Sequence, residues 1–161
     1  MISASIVRSA RPEDEGQLWE LFHLLHEENG LFPLDEPKVQ WFLDRALHPE
    51  RIHEADTGPR GKIGVIGVSS ALEGVIMMLL GQFWYSTTWH LEELLNFVRP
   101  ECRKSNHAKS LIAFAKKSSD DLSIPLLIGV ISNVRTEAKI RLYDRQLPKA
   151  GAFYFYNSQS S

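Results

Sequence analysis

Residues 98–112 decide the fold, and they read VRPECRKSNHAKSLI. The stretch begins as the end of an apolar strand, passes through a polar turn rich in Arg and Lys, and continues into an amphipathic pattern. Apolar residues at i, i+3, i+4 and i+7 predict one helical face, formed by Ala108, Leu111, Ile112 and Ala115. A helix start exposes unpaired backbone N–H groups and carries partial positive charge, so the turn predicts an anion site.

The polar side chains of this turn allow two interpretations. Arg103 and Lys104 add full positive charges, which suit a diphosphate or a nucleotide-like anion. The same charges could equally well solvate a surface loop, with Ser105 or Asn106 capping the helix. Residue chemistry alone leaves both interpretations open.

Helical and strand patterns surround this stretch. Apolar spacing predicts one helix from Pro12 to a stop at Gly30 and a second beginning near Pro37. Three β-rich runs follow at 63–68, 75–86 and 89–98, with a turn expected at 71–74. Their short connections favour antiparallel neighbours. On the third run, alternation places Glu92, Asn96 and Val98 on one face and Glu93 on the other.

The second half of the chain predicts a strand–helix–strand crossover. Residues 124–132 form an apolar run typical of a buried strand, and the unit 89–132 favours parallel pairing of its two strands. A helix over 135–147 and a short aromatic strand over 152–156 complete the order β-α-α-β-β-β-α-β-α-β. The predicted fold is therefore α+β, a mixed and largely antiparallel sheet with helices on both faces.

Composition narrows the functional classes. The net charge of −2 gives no global attraction for nucleic acid, so any anion site must be local. No apolar run is long enough to cross a bilayer, which predicts a cytoplasmic protein without membrane contact. A single cysteine, Cys102, excludes an internal disulfide, and no Cys/His cluster has the spacing of a metal site.

The element order and the residues of the turn resemble the GNAT superfamily of N-acetyltransferases, over roughly residues 5–156. The family segment between the fourth strand and its helix reads Val-x-Pro-x-x-Arg-Gly-x-Gly-x-Gly/Ala. Val98, Pro100, Arg103 and Ala108 match it, whereas non-glycine residues stand at two positions where glycine is usual. These two positions are Lys104 and Asn106. The resemblance implies a splayed parallel pair of central strands that binds acetyl-CoA, and no metal.

The resemblance also implies positions for the acyl donor. Backbone groups of Phe97 and Val98 would pair with the pantetheine arm. The pyrophosphate would be held by the turn and helix start, comprising Arg103, Lys104, Ser105, Asn106, His107 and Ala108, with Lys109 nearby. Asn133 matches a position that often hydrogen-bonds the donor arm, although it could equally well cap the next helix.

Two residues are predicted by resemblance to carry the chemistry. Tyr143 matches the tyrosine of an LYxxL pattern on the last helix, where a phenol would protonate the CoA sulfur. Its spacing would also suit a core tyrosine that faces the sheet. Glu92 lies near a glutamate position of the family and could accept the proton of the amine. A solvated or ion-paired carboxylate is the alternative for Glu92.

The expected function is therefore acetyl transfer to a primary amine by direct attack, with a small-molecule or peptide amine as the acceptor. The resemblance implies one acyltransferase domain over 1–161, with a frayed tail at 157–161, and a homodimer is a family-level expectation. The alternative is a non-catalytic GNAT-fold binding module, because the turn lacks the usual glycines.

Overall fold

The computed structural model describes residues 6–132 and 135–157. Its five strands are β1 (Arg8–Ser9), β2 (Arg60–Val68), β3 (Ala71–Gln82), β4 (Trp89–Val98) and β5 (Leu126–Leu127). Its four α-helices are α1 (Glu15–Asn29), α2 (Glu36–Leu47), α3 (His107–Leu122) and α4 (Thr136–Gln146). The strands form one sheet in the order β1-β2-β3-β4-β5. Neighbours are antiparallel except β4 and β5, which pair in parallel, as predicted.

The first two helices follow from local signals. Pro12 opens a short 3₁₀ turn before α1, and Gly30 caps the carboxyl end of α1. Asp35 caps α2 by accepting a hydrogen bond from the backbone N–H of Lys38 at 3.1 Å. Both helices bury an apolar face against the same side of the sheet.

A hydrophobic core lies on each face of the sheet. On one face, α1 and α2 bury Leu18, Leu21 and Leu43 against β2, β3 and β4. On the other, Leu111 of α3 is buried, and Met78 of β3 belongs to the same cluster. The helices therefore hold β4 from both sides and fix the position of its carboxyl end.

A buried carboxylate ties the amino-terminal strand to the sheet. Asp14 is fully buried and accepts two hydrogen bonds from the Arg8 guanidinium, at 2.8 and 2.9 Å. It also accepts from the Ser69 hydroxyl at 2.6 Å and from the Arg11 backbone N–H at 2.7 Å. Burial alone would raise the pKa of Asp14, but these bonds outweigh it and hold the pKa at about 2.

Three expectations about strand boundaries are wrong. The predicted turn at 71–74 lies inside β3, because Gly67 at φ +110° lets the chain turn earlier, at Ser69 and Ser70. The apolar run 124–132 contributes only Leu126–Leu127 to the sheet. Residues 152–156 form no strand, because the two-residue β5 offers almost no edge with which to pair.

The end of the chain instead runs over the surface near α1. The Phe155 ring packs edge-to-face on Phe32, with ring centroids 5.6 Å apart. Residues 158–161, most of the tail predicted to fray, lie outside the described residues. Within the described part of the chain, no helix is both long and apolar enough to span a membrane.

Candidate functional site

The candidate site begins where β4 and β5 separate. Leu91 and Glu92 are the β4 residues that pair with β5, and the backbone N–H of Leu91 also donates to the Pro125 carbonyl at 2.8 Å. From Glu93 to Val98, β4 has no strand partner on this side within the described residues. The splayed pair leaves backbone groups of the β4 edge available to a ligand.

A cavity of about 100 Å³ lies against this open edge. The end of β4 forms one wall, α4 forms the opposite wall, and the end of α1 and the turn before α3 close its ends. The lining residues are Glu28, Asn29, Asn96, Phe97, Val98, Arg103, Ala108, Arg135, Ala138, Lys139, Leu142 and Tyr143. The predicted donor-arm positions Phe97 and Val98 and the predicted acid Tyr143 thus lie on one cavity.

A β-bulge changes which glutamate of β4 turns towards Tyr143, one of the residues that line this cavity. The β3–β4 register passes from Met77 opposite Leu95 to Met78 opposite Glu93, so Leu94 is the extra residue. The predicted common face of Glu92, Asn96 and Val98 is therefore wrong. Glu92 is 58% exposed and lies 3.7 Å from His90, outside the cavity lining.

Glu93 instead meets Tyr143. The Tyr143 hydroxyl donates to the Glu93 carboxylate at 3.3 Å. Burial raises the pKa of Glu93 to about 7, although the Lys139 charge and the Tyr143 hydrogen bond act in the opposite direction. Burial, together with the neighbouring Glu93, raises the pKa of Tyr143. The phenol therefore stays protonated near neutral pH, while the carboxyl group is able to gain or lose a proton there.

Arg103 points into the cavity rather than out from the turn. Its Nε donates to the Val98 carbonyl at 3.0 Å, and its guanidinium is 2.8 Å from the Glu28 carboxylate. The guanidinium also lies over the Phe97 ring, 5.2 Å from the centroid. Arg103 thus already donates to a β4 carbonyl that was predicted to pair with the donor arm. A bound donor would need to displace the Arg103 side chain from this carbonyl.

The turn itself is exposed and forms the amino-terminal end of α3. Ser105 donates to the Cys102 carbonyl and accepts from the His107 backbone N–H, which closes the turn. Asn106 stands at the N-cap position of α3 without a capping hydrogen bond from its side chain. Its φ is −89°, so this position does not require the left-handed conformation that glycine favours. Ala108 and Lys109 stand in the first helical turn, where backbone N–H groups have no intrahelical acceptor.

The side chains of the turn diverge. Lys104, Ser105, Asn106 and Lys109 are exposed. His107 is largely buried and turns to β3, where its ring lies 3.6 Å from the Glu73 carboxylate. Asn133, also predicted to bind the donor, lies outside the described residues. No group of three residues able to hold a metal ion is present in the ranges 6–132 and 135–157.

Sequence reasoning missed the polar residues that line the far side of the cavity. Asn29 is 5% exposed, and neither polar atom of its side-chain amide has a hydrogen-bond partner among the described residues. Glu28 bridges Arg103 at 2.8 Å and Arg135 at 3.7 Å. Glu28 and Asn29 are the last two residues of α1, and polar residues at a helix end are typical of a surface exposed to solvent. The one sequence signal that could have indicated their place in the cavity was their position directly before the helix stop at Gly30.

Comparison with known proteins rests on structure. No family model and no curated protein matches the chain. The ribosomal-protein-alanine N-acetyltransferase of Brucella melitensis biovar Abortus 2308 superposes with a TM-score of 0.69 at 14% identity, covering 96% of this chain and 99% of that one. An aminoglycoside acetyltransferase from an uncultured soil metagenomic sample, in complex with trehalose, gives a TM-score of 0.66 at 12% identity, covering 96% of both chains.

A third structure contains a ligand that spans both substrates. AAC(6')-Iy in complex with the bisubstrate analogue CoA-S-monomethyl-acetylneamine gives a TM-score of 0.67 at 13% identity, covering 98% of this chain and all of the other. The first two structures are named as acetyltransferases, and the third is bound to a CoA-containing bisubstrate analogue. The chain therefore has the GNAT fold, as its resemblance to that superfamily predicted.

Proposed function

We propose that the chain transfers an acetyl group from acetyl-CoA to a primary amine. One observation carries the proposal: the open edge of β4 faces a cavity lined by Tyr143, and the Tyr143 phenol donates to the Glu93 carboxylate at 3.3 Å. A carboxyl group that titrates near pH 7 beside a protonated phenol provides both a base and an acid.

The donor would bind along the edge of β4. The amides of its pantetheine arm would pair with backbone groups of Phe97 and Val98. Its diphosphate would meet the backbone N–H groups of Ala108 and Lys109, and the Lys104 and Lys109 ammonium groups would add charge. The fold neighbour bound to a CoA-containing bisubstrate analogue supports a CoA donor for this fold.

The chemistry requires a neutral amine and a protonated leaving thiolate. The Glu93 carboxylate takes a proton from the incoming ammonium, directly or through water. The amine nitrogen then attacks the thioester carbonyl, so that an N–C bond forms and the C–S bond breaks. Tyr143 donates its proton to the departing sulfur, and the nitrogen, positively charged after the attack, gives its second proton to the resulting Tyr143 phenolate. Glu93 replaces Glu92 in this role because the bulge at Leu94 turns Glu93 towards Tyr143.

The acceptor is proposed as a small-molecule or peptide amine, in line with neighbours named for ribosomal-protein-alanine and aminoglycoside acetylation. The proposed catalytic unit is one acyltransferase domain over 1–161.

A non-catalytic binding module is the second candidate. It is favoured by the Arg103 side chain, which holds the Val98 carbonyl and the Glu28 carboxylate inside the cavity. If this closure persists with acetyl-CoA present, the chain would have the fold without turnover. The two candidates thus differ in whether Arg103 yields to the donor.

The test is release of CoA thiol across a panel of amines, with acetyl-CoA as the donor. The panel should contain aminoglycosides, polyamines, amino acids and peptides with free amino termini. We expect amine-dependent thiol release that Glu93→Gln slows strongly and that Glu92→Gln, the matched exposed control, leaves nearly unchanged. Acetyl-CoA binding without turnover on every amine would favour the binding module instead.

A further inference from the structure

A lysine that the proposed mechanism does not use lines the same cavity. Lys139 lies on α4 four residues before Tyr143, so both side chains project from one face of the helix. Lys139 is half-buried, and its charge acts on the Glu93 carboxylate. An amine nitrogen thus stands one helical turn from the proposed acid of acetyl transfer.

Among the described residues, this amine has no direct partner of the kind that holds two other lysines of the chain. Lys116 donates to the Gln146 carbonyl at 2.6 Å, and Lys117 pairs with Asp121 at 2.8 Å. Among the described residues, Lys139 Nζ makes no hydrogen bond, and no carboxylate oxygen lies within 4.0 Å of it. A half-buried ammonium without a direct partner is costly, which favours loss of its proton.

The surrounding charges act in both directions. Burial lowers the pKa of Lys139, the carboxylates of Glu93 and Glu28 raise it, and the guanidinium groups of Arg103 and Arg135 lower it again. The net effect is a lowered pKa, so a larger fraction of Lys139 is a neutral nucleophile than for an exposed lysine.

We propose that Lys139 is a self-acetylation site, modified by acetyl-CoA bound in the cavity that it lines. The proposal rests on the proposed function, since it requires the same donor site. Lys139 Nζ attacks the thioester carbonyl, an N–C bond forms and the C–S bond breaks. The nitrogen gives up its proton to the Glu93 carboxylate, and the leaving sulfur takes a proton from Tyr143.

The modification would alter the cavity. Acetyl-lysine is neutral and longer than lysine, so it would remove one positive charge and occupy part of a space of about 100 Å³. A bound acceptor amine would compete for the acetyl group, so acceptor should protect Lys139. Self-acetylation would therefore proceed when donor is present and acceptor is scarce, and it would slow the enzyme.

The test follows acetylation of the full chain by acetyl-CoA with peptide mass spectrometry. Lys38, which is exposed on α2, is the internal control. Proximity predicts that Lys139 is acetylated at least about tenfold faster than Lys38. The rate should be independent of protein concentration and suppressed by excess CoA. Lys139→Arg should abolish the fast modification, whereas Lys38→Arg should not change it.

Binding of acetyl-CoA, measured by calorimetry on the same preparation, separates the two proposals. If acetyl-CoA does not bind, both the proposed function and self-acetylation are overturned. If acetyl-CoA binds but Lys139 and Lys38 are acetylated at equal rates, self-acetylation is overturned and the proposed function stands. The same holds if acetyl-CoA binds but excess CoA does not suppress the acetylation of Lys139. With S-acetyl-N-acetylcysteamine, a small thioester without the nucleotide, the preference for Lys139 over Lys38 should be clearly smaller than with acetyl-CoA. An equal preference with both donors would contradict the proposal, because the donor site would then play no part.

Discussion

Replacing Glu93 by Gln should stabilise the protein at alkaline pH while slowing its reaction. The buried carboxylate has a pKa of about 7 in the folded chain, against an ordinary value of 4.5. A group whose pKa is raised on folding binds protons more tightly in the folded state. Glu93 therefore makes stability fall as pH rises from about 4.5 to about 7, because the folded state must then hold a buried charge.

The magnitude follows from that difference. At about 1.4 kcal/mol per pKa unit, ionised Glu93 lowers the free energy of unfolding by about 3 kcal/mol above pH 7. Glutamine has nearly the same shape, carries no charge and still accepts a hydrogen bond from Tyr143. Glu93→Gln should thus raise the free energy of unfolding by about 3 kcal/mol at pH 8. The gain should nearly vanish at pH 4.5.

Urea denaturation of both chains at the two pH values measures this effect. The control is Glu92→Gln, an exposed neighbour on the opposite face, which should change the free energy of unfolding by less than about 0.5 kcal/mol at either pH. A Glu93→Gln chain that is no more stable than wild type at pH 8 would refute the reasoning. An equal gain at pH 4.5 would refute it as well, because the charge would not be the cause.

Three further predictions concern the candidate site, the Arg8–Asp14 ion pair and the core under α3. Tyr143→Phe should lower the rate of acetyl transfer by about 100-fold with unchanged acetyl-CoA affinity, measured by thiol release and calorimetry; full turnover would remove the proposed acid. Asp14→Asn should cost about 3 kcal/mol at pH 7 by leaving Arg8 unpaired in a part-buried site. Folding lowers the pKa of Asp14 from 3.8 to about 2, so the ionised carboxylate stabilises the fold fully above pH 3.8 and loses this effect as the pH falls to about 2. The urea midpoints of wild type and Asp14→Asn should therefore converge at pH 2. A gap that stays constant with pH would contradict this. Leu111→Ala should destabilise the fold by about 2–5 kcal/mol in thermal or urea unfolding, since Leu111 is fully buried between α3 and the sheet. A loss below about 1 kcal/mol would show that this core does not depend on Leu111.

Helices were predictable because their signals are local. The apolar positions Leu18, Leu21 and Phe22 of α1 are buried as their spacing indicated, and so are Leu111 and Ile112 of α3. Pro12 and Gly30 marked the ends of the first helical region. The parallel pairing of β4 with β5 followed from the crossover that joins them, which is a rule of chain connection.

The details of the strands escaped prediction for a different reason. The prediction of strand faces assumes that side chains alternate without interruption along the strand. The single extra residue Leu94 breaks this alternation, so the β4 side chains before it lie on the face opposite to the one predicted relative to Asn96 and Val98. Nothing in the run of residues 89–98 marks the bulge, because apolar residues occupy both faces. The burial of the Glu93 carboxylate depends on Tyr143, fifty residues away in sequence, which no local pattern encodes.

The elements of the candidate donor site could be predicted from the sequence, but the orientation of its side chains could not. The open β4 edge and the helix start lie together, as the resemblance implied. The inward turn of Arg103 depends on Glu28, a residue at the end of α1 that appeared to belong to a solvated face. A long-range ion pair of this kind becomes visible only when α1 is placed on the sheet.

Isothermal titration with acetyl-CoA and with S-acetyl-pantetheine, which lacks the diphosphate and nucleotide, addresses the central claim most directly. The account predicts one-to-one binding of acetyl-CoA and at least about tenfold weaker binding of the truncated donor, because the start of α3 holds the diphosphate. No heat from acetyl-CoA at high micromolar concentration, or equal affinity for both donors, would contradict it.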